Sequence, residues 1–217
     1  TVPEQQQLLK VLGKMPVEKT EPIFNDLIDQ LVNDKLSQNL RLDLIEAVDS
    51  THSETLIAKI ADVKSKGGNT VADFQETLYG GDAELGASYF YRNSTGQCVR
   101  CHVVDGRGGE VGPDLTHIAS TLSREQLLQA LIEPSARLSP GFGMVSLTLD
   151  DGQTVSGILM EENDEELIIK TSEAEPLEVA VSRISKRQNL PSSMPPMANI
   201  MSRREIRNVV EFLSTLK

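Results

Sequence analysis

The stretch Cys98-Val99-Arg100-Cys101-His102 constrains this chain more than any other feature. Two cysteines separated by two residues, with a histidine directly after the second, form the attachment sequence for a c-type haem. The thiols add to the two vinyl groups of the porphyrin as thioethers. The histidine then reaches the iron with one ring nitrogen, while its other N–H is fixed on a nearby carbonyl. One covalent haem c is therefore expected, held through Cys98 and Cys101 with His102 on the iron, and the rest of the unit must cover a flat apolar disc.

A bare Cys-x-x-Cys has three rivals, namely a disulfide, a redox dithiol and half of a zinc site. The chain has only these two cysteines and three histidines, His52, His102 and His117, so a zinc set would have to recruit distant histidines. A thioredoxin-like dithiol opens a helix in a βαβ setting. Here the motif runs instead into the loop Val103-Val104-Asp105-Gly106-Arg107-Gly108-Gly109. His52, at the start of a helix, reads as a solvated surface residue.

With 217 residues, 39% hydrophobic and 24% charged, the chain suffices for one large or two to three small domains, and no run approaches the ~18 apolar residues of a membrane span. The start at Thr1, with no charged-then-apolar leader, predicts a matured product or a piece of something longer. Haem c is attached outside the cytoplasm, so a periplasmic or otherwise extracytoplasmic location is expected. The net charge of −11 divides unevenly: −5 over residues 1–80, −2 over 81–138, −6 over 139–190 and +2 over 191–217. Segments 81–138 and 191–217 thus cancel, and long-range steering by net charge belongs to the other parts. So acidic a chain does not suit nucleic acid.

Helix signals outline a haem unit over 81–217. Asp82 to Tyr91 predicts a short helix burying Leu85, Gly86, Tyr89 and Phe90, followed by a Ser94-Thr95-Gly96 turn. Ser123-Arg124-Glu125-Gln126 is a capping box that opens a helix with Leu127, Leu128, Leu131 and Ile132 on one face, stopped by Pro134. Ser202-Arg203-Arg204-Glu205 is a second, opening a helix to the C-terminus with Ile206, Val209, Val210 and Leu213 on its stripe. The first and last helices are expected to cross closely at a small residue such as Gly86.

Between the second and third helices the period changes from 3.6 to 2. Strands are expected at Met144–Leu149, Gln153–Met160, Glu166–Thr171 and Leu177–Val181, with Asp150-Asp151-Gly152 as a hairpin turn. Residues 141–188 therefore read as an inserted antiparallel sheet or partly closed barrel, expected to touch the haem edge without ligating iron. Residues 1–80 read as an α-helical, repeat-like domain whose buried faces are Leu8/Leu9/Leu12, Ile23/Leu27/Ile28/Leu31, Leu40/Leu44/Ile45/Val48, Leu56/Ile57/Ile60/Val63 and Val71/Phe74/Leu78.

The second axial ligand decides what a haem does: a thioether raises the potential, a second imidazole lowers it, and an open site admits small ligands. Met194 lies in the extended, proline-stiffened loop Ser192-Ser193-Met194-Pro195-Pro196-Met197. It follows His102 by 92 residues, and setting aside the 48 of segment 141–188 leaves 44, enough for one helix and a return loop. Met194 is the expected distal ligand, with Met197, Met201 and His117 as rivals; for most methionines a gap-filling core role suffices.

Taken together, Gly86-Ala87-x-x-Phe90, Cys98-x-x-Cys101-His102, Gly108-Gly109-x-Val111-Gly112-Pro113-Asp114-Leu115-Thr116, Leu127-Leu128-x-x-Leu131-Ile132-x-Pro134-Ser135 and Ser193-Met194-Pro195 resemble the haem-binding domain of Pirellula and Verrucomicrobium type, over roughly residues 80–217. The resemblance implies a monohaem cytochrome c fold interrupted by the sheet, often C-terminal in large secreted or membrane-bound dehydrogenase-like proteins with helical repeats before it. It also implies Met194 as distal ligand, a Pro113 carbonyl accepting from His102, and Leu115 beside the cofactor. The chain departs from it in Pro196-Met197, which adds a second thioether nearby. The expected fold class is mainly α with a small β insert. The expected function is single-electron transfer from a dehydrogenase to a downstream acceptor, without an enzymatic activity of its own. A haem enzyme or gas-binding sensor with an openable distal site is the alternative, and a docking module with a passenger haem is a third reading.

Overall fold

The N-terminal helices follow from apolar residues at helical spacing, and the computed structural model, which describes residues 1–61, 70–92, 96–173 and 175–217, places them as α1 (Val2–Leu12), α2 (Val17–Val32), α3 (Arg41–Ser50) and α4 (Glu54–Ile60). Their shared core holds Leu9, Leu12, Phe24, Ile28, Leu31, Leu44, Val48, Leu56 and Ile60. Two expected core positions point outward: Leu8 and Ile23 are exposed, and Phe24 takes the buried place beside Ile23. The larger ring removes more apolar surface from water, so a one-residue rotation of the α2 face is favoured. Val63 and the Ser94-Thr95 part of the expected turn lie outside the described residues.

A second core is built by α5 (Ala83–Arg92), α6 (Arg124–Ile132) and α7 (Arg203–Leu213). Ser123 and Ser202 cap α6 and α7 as both capping boxes require. Leu85 is 49% exposed instead of buried, while Gly86 and Phe90 carry the inner face of α5. A Cβ on Gly86 would lie 2.0 Å from the Asn208 carbonyl oxygen and 2.7 Å from Phe212 Cβ, so only glycine lets the two backbones cross this closely. Val71, Phe74 and Leu78 belong to this second core, not to the N-terminal one. They sit on a 3-10 turn, Val71–Thr77, and the two cores divide between Ile60 and Val71.

The inserted sheet contains β1 (Met144–Leu149), β2 (Thr154–Glu162), β3 (Glu166–Lys170), β4 (Leu177–Ala180) and a fifth strand that alternation does not announce, β5 (Ile184–Asn189). All pairings are antiparallel, in the order β4-β3-β2-β1-β5. Val145, Leu147, Leu149, Leu159, Leu167, Ile169 and Val179 form its own core. Edge strands four places apart in a flat sheet would stand ~19 Å from each other. The link from Ala180 to Ile184 reaches at most ~14 Å. The sheet must therefore curl toward a barrel, which a bulge between Leu159 and Glu161 and another between Thr148 and Leu149 assist. Among the described residues no helix is long and apolar enough to cross a membrane. The architecture is mixed: helices in two cores and one five-stranded antiparallel sheet.

A buried ion pair joins the two helical cores. Asp43 on α3 is 2% exposed and Arg207 on α7 is 4% exposed, with Arg207 Nη1 2.6 Å from Asp43 Oδ2. Arg204 Nη2 lies 2.9 Å from Asp43 Oδ1. Removing the carboxylate would strand a buried guanidinium, a change that costs about 3–5 kcal/mol. Asp43→Ala is accordingly expected to lower the unfolding free energy by that amount, read as a lower urea midpoint, and to make the α1–α4 segment cleavable before the second core in limited proteolysis. An unchanged midpoint would show that the pair does not hold the cores together.

Candidate functional site

The Cys-x-x-Cys-His motif forms a tight 3-10 turn, Cys98–Arg100, entered through Gln97 in the left-handed region at φ 47°. The Cys101 and His102 N–H groups both donate to the Cys98 carbonyl, at 3.1 and 2.9 Å. The glycine-rich loop then folds back over the motif. Gly109 N–H donates to Val99 O at 2.9 Å, Gly112 N–H to Cys101 O at 2.7 Å and Leu115 N–H to Val103 O at 2.8 Å.

This wrapping positions the imidazole. His102 Nδ1 lies 2.9 Å from the Pro113 carbonyl oxygen. A carbonyl only accepts, so Nδ1 carries the hydrogen and Nε2 presents a bare lone pair. A Cβ on Gly112 would fall 2.6 Å from His102 Cε1 and 3.1 Å from Nε2. The chain therefore lies flat against the ring, where any side chain would push it aside.

His102 opens onto a cleft with about 1310 Å³ of empty space, its mouth included. Cys98, Cys101, Pro113, Leu115 and Met194 line the same cleft, so the structure brings together all six residues singled out from the sequence. Its apolar walls come from Phe90 on α5, Leu127 and Leu131 on α6, Val209 and Leu213 on α7, and Ile118 and Leu122 on the loop before α6. Met197 also reaches the lining but is 3% exposed, part of the second core. Met201, 5% exposed, is in that core and not in the lining. His117 is exposed and its Nδ1 sits 2.9 Å from Lys217 O.

Met194 is held differently from the core methionines. Its N–H donates to Ser192 Oγ at 3.1 Å, and Ser192 N–H donates to Ser135 Oγ at 3.0 Å, which ties the loop to the segment after α6. Among the lining residues without a signal in the sequence are Arg137, Leu138, Ser139 and Phe142, on the arm that leads from α6 into β1. No residue of β1 to β5 lines the cleft. Within the expected insert 141–188 the contact is thus made by Phe142 on this arm and not by a strand, because the strands spend their apolar faces on their own core.

The rival chemistries lack their geometry. Cys98 and Cys101 are not bonded to each other. Burial pushes the Cys98 thiol above its ordinary pKa, the opposite of the lowered value that makes a redox dithiol reactive. Among the described residues no group of three or more His, Cys, Asp or Glu side chains converges as a metal set, and His52 is exposed beyond the end of α3. What remains is an imidazole, two unpaired thiols and a thioether around one apolar space. These residues fit a covalently attached metalloporphyrin.

Comparison with known proteins finds no family model that matches the chain and no matching curated protein. Gly112→Ala is expected to displace the imidazole from the Pro113 carbonyl, with a loss of about 1–3 kcal/mol as for other overpacked sites. The imidazole N–H proton resonance, slow to exchange in the parent protein, should disappear. Retention of that resonance at unchanged stability would mean that Gly112 does not set the ring.

Proposed function

We propose that residues from about 70 to the C-terminus form a monohaem c-type cytochrome unit that transfers single electrons. The observation that carries this reading is the convergence of Cys98, Cys101 and His102 on one apolar cleft, with His102 Nδ1 committed to Pro113 and Nε2 left for a metal. Cys98 and Cys101 would hold the porphyrin as thioethers, His102 would be the proximal ligand, and Met194 the distal one. When bound, the haem supplies a one-electron ferric and ferrous couple.

The chain's own residues tune such a couple. The hydrogen bond to Pro113 raises the basicity of His102 and fixes the ring plane. Leu115, Leu127, Leu131, Val209 and Leu213 exclude water from the cleft. That disfavours the more charged oxidised state, and a thioether ligand acts in the same direction. A haem enzyme or gas sensor would need an array of polar donors on the distal side; the loop Ser192 to Met197 offers only the hydroxyls of Ser192 and Ser193 beside two thioethers and two prolines, which favours electron transfer.

The motif resemblance supports membership of the Pirellula and Verrucomicrobium haem-binding domain type and a cytochrome c-like fold interrupted by the sheet. On that reading the donor is a dehydrogenase domain or partner protein, the acceptor lies downstream, and the compartment is periplasmic or otherwise extracytoplasmic. Helices α1 to α4 and the sheet then serve as attached parts around the redox unit.

Acid extraction under denaturing conditions should leave the porphyrin on the polypeptide; its release would refute the thioether assignment. Met194→Ala should abolish the methionine-to-iron charge-transfer band of the oxidised protein and open the reduced iron to carbon monoxide, whereas Met197→Ala and Met201→Ala should keep the band. Loss of the band in Met197→Ala alone would transfer the ligand role to Met197.

A further inference from the structure

A haem carries two carboxylates that its apolar disc cannot satisfy, and a site for it must meet them with donors or water. Among the described residues lining the cleft, the only permanent cation is Arg137. It is exposed at the mouth, on the turn between α6 and β1. Among the described residues, no hydrogen bond or ion pair to another protein group engages its guanidinium.

The obvious internal partner is taken. Arg137 also borders a second cleft, shared with Leu159, Glu162, Arg187 and Asn189 of the sheet. Glu162 is the carboxylate there, and Arg187 holds both of its oxygens, with Nη2 3.1 Å from Oε2. Glu133, on the same arm, accepts from Val71 N–H at 3.1 Å. The backbone under Arg137 is fixed as well. Asn189 Nδ2 donates to the Ser135 and Ala136 carbonyls at 3.2 and 3.1 Å, so the end of β5 holds the arm at the cleft mouth.

We infer that Arg137 binds a haem propionate, an inference that rests on the haem c reading above. The guanidinium is planar and offers paired N–H donors that match a carboxylate. It would keep the propionate ionised and, as a positive charge near the iron, disfavour the ferric state. The titratable groups facing this point are Glu162 and Arg187 across the second cleft, Glu133 on the arm, and Cys98, Cys101 and His102 in the main cleft. The first three are engaged in contacts that do not include Arg137.

The test compares midpoint potential against pH in the haem-loaded parent protein, Arg137→Gln, Arg137→Lys and Lys186→Gln, the last removing an equal charge from the exposed face of β5. Arg137→Gln should lower the potential above the propionate inflection. It should also move that inflection to higher pH, because the carboxylate loses the cation that favours its charged form. Arg137→Lys should restore part of both effects, and Lys186→Gln should leave the inflection in place. An inflection in Arg137→Gln identical to that of the parent, with haem still attached, overturns the inference and leaves the cytochrome reading standing. Absence of covalent haem from the parent protein overturns both.

Discussion

The crossing of α5 over α7 at Gly86 is the constraint on which the rest is hung. With the Asn208 carbonyl 2.0 Å from where a Cβ would stand, the helices approach along backbone, not side chains, and the pair behaves as one rigid element. Phe90, Tyr91 and Phe212 stack around the crossing, with ring centroids 5.1 to 6.1 Å apart. Because the crossing fixes the rotation of α7, it decides what each face of that helix meets. Val209 and Leu213 look into the cleft. Arg207 turns to Asp43 on α3. Arg203, one turn earlier, lies over the Phe74 ring at 4.1 Å. A single helix thus walls the site and joins the N-terminal core to it.

The sheet bears on the site without entering it. Leu190 N–H donates to Met144 O at 2.9 Å, and Asn189 clamps the arm after α6. The loop carrying Met194 therefore starts from a fixed point at the end of β5, and Ser192 bonds it again to Ser135. Both ends of the insert converge on one rim of the cleft, the incoming arm giving Arg137 and Phe142 and the outgoing loop giving Met194. A barrel that curls enough to pair β5 with β1 is what brings those ends together, so its register sets the place of Met194 although no strand touches the cleft.

Local chemistry was legible in the sequence wherever short-range signals decide structure. The capping boxes at Ser123 and Ser202 place α6 and α7 because a side-chain oxygen and a backbone N–H three residues on are enough to start a helix. Gly86 was readable as a close crossing; Cys98, Cys101, His102 and Met194 were readable from motif and loop chemistry, whereas Pro113 and Leu115 followed from the family resemblance. What escaped depends on tertiary partners. β5 is an edge strand with exposed Ser185, Lys186, Arg187 and Gln188, so it has no alternation to show and exists because β1 offers it a ladder. The Asp43 and Arg207 pair spans 164 residues. Phe24 displaces Ile23 through the packing of α2, and Val71, Phe74 and Leu78 change core because the 3-10 turn they share lies against α6 and α7. Arg137 looks in sequence like any surface arginine after a proline.

The charge of the cleft bears on the direction in which the proposed couple would work. Among the described residues no aspartate or glutamate lines it, and the only formal cation there is Arg137. A ferric centre bears one more positive charge than a ferrous one, and moving that charge from water to an apolar site without a compensating anion is unfavourable. Carboxylates are plentiful in the chain, yet most lie in the N-terminal helices and the sheet, and Asp114, between the lining residues Pro113 and Leu115, accepts from the Thr116 N–H and hydroxyl instead. On the proposed reading the local surroundings outweigh the net charge of −11, and the unit favours its reduced form. That is the property required of a carrier that draws electrons out of a dehydrogenase site before passing them on.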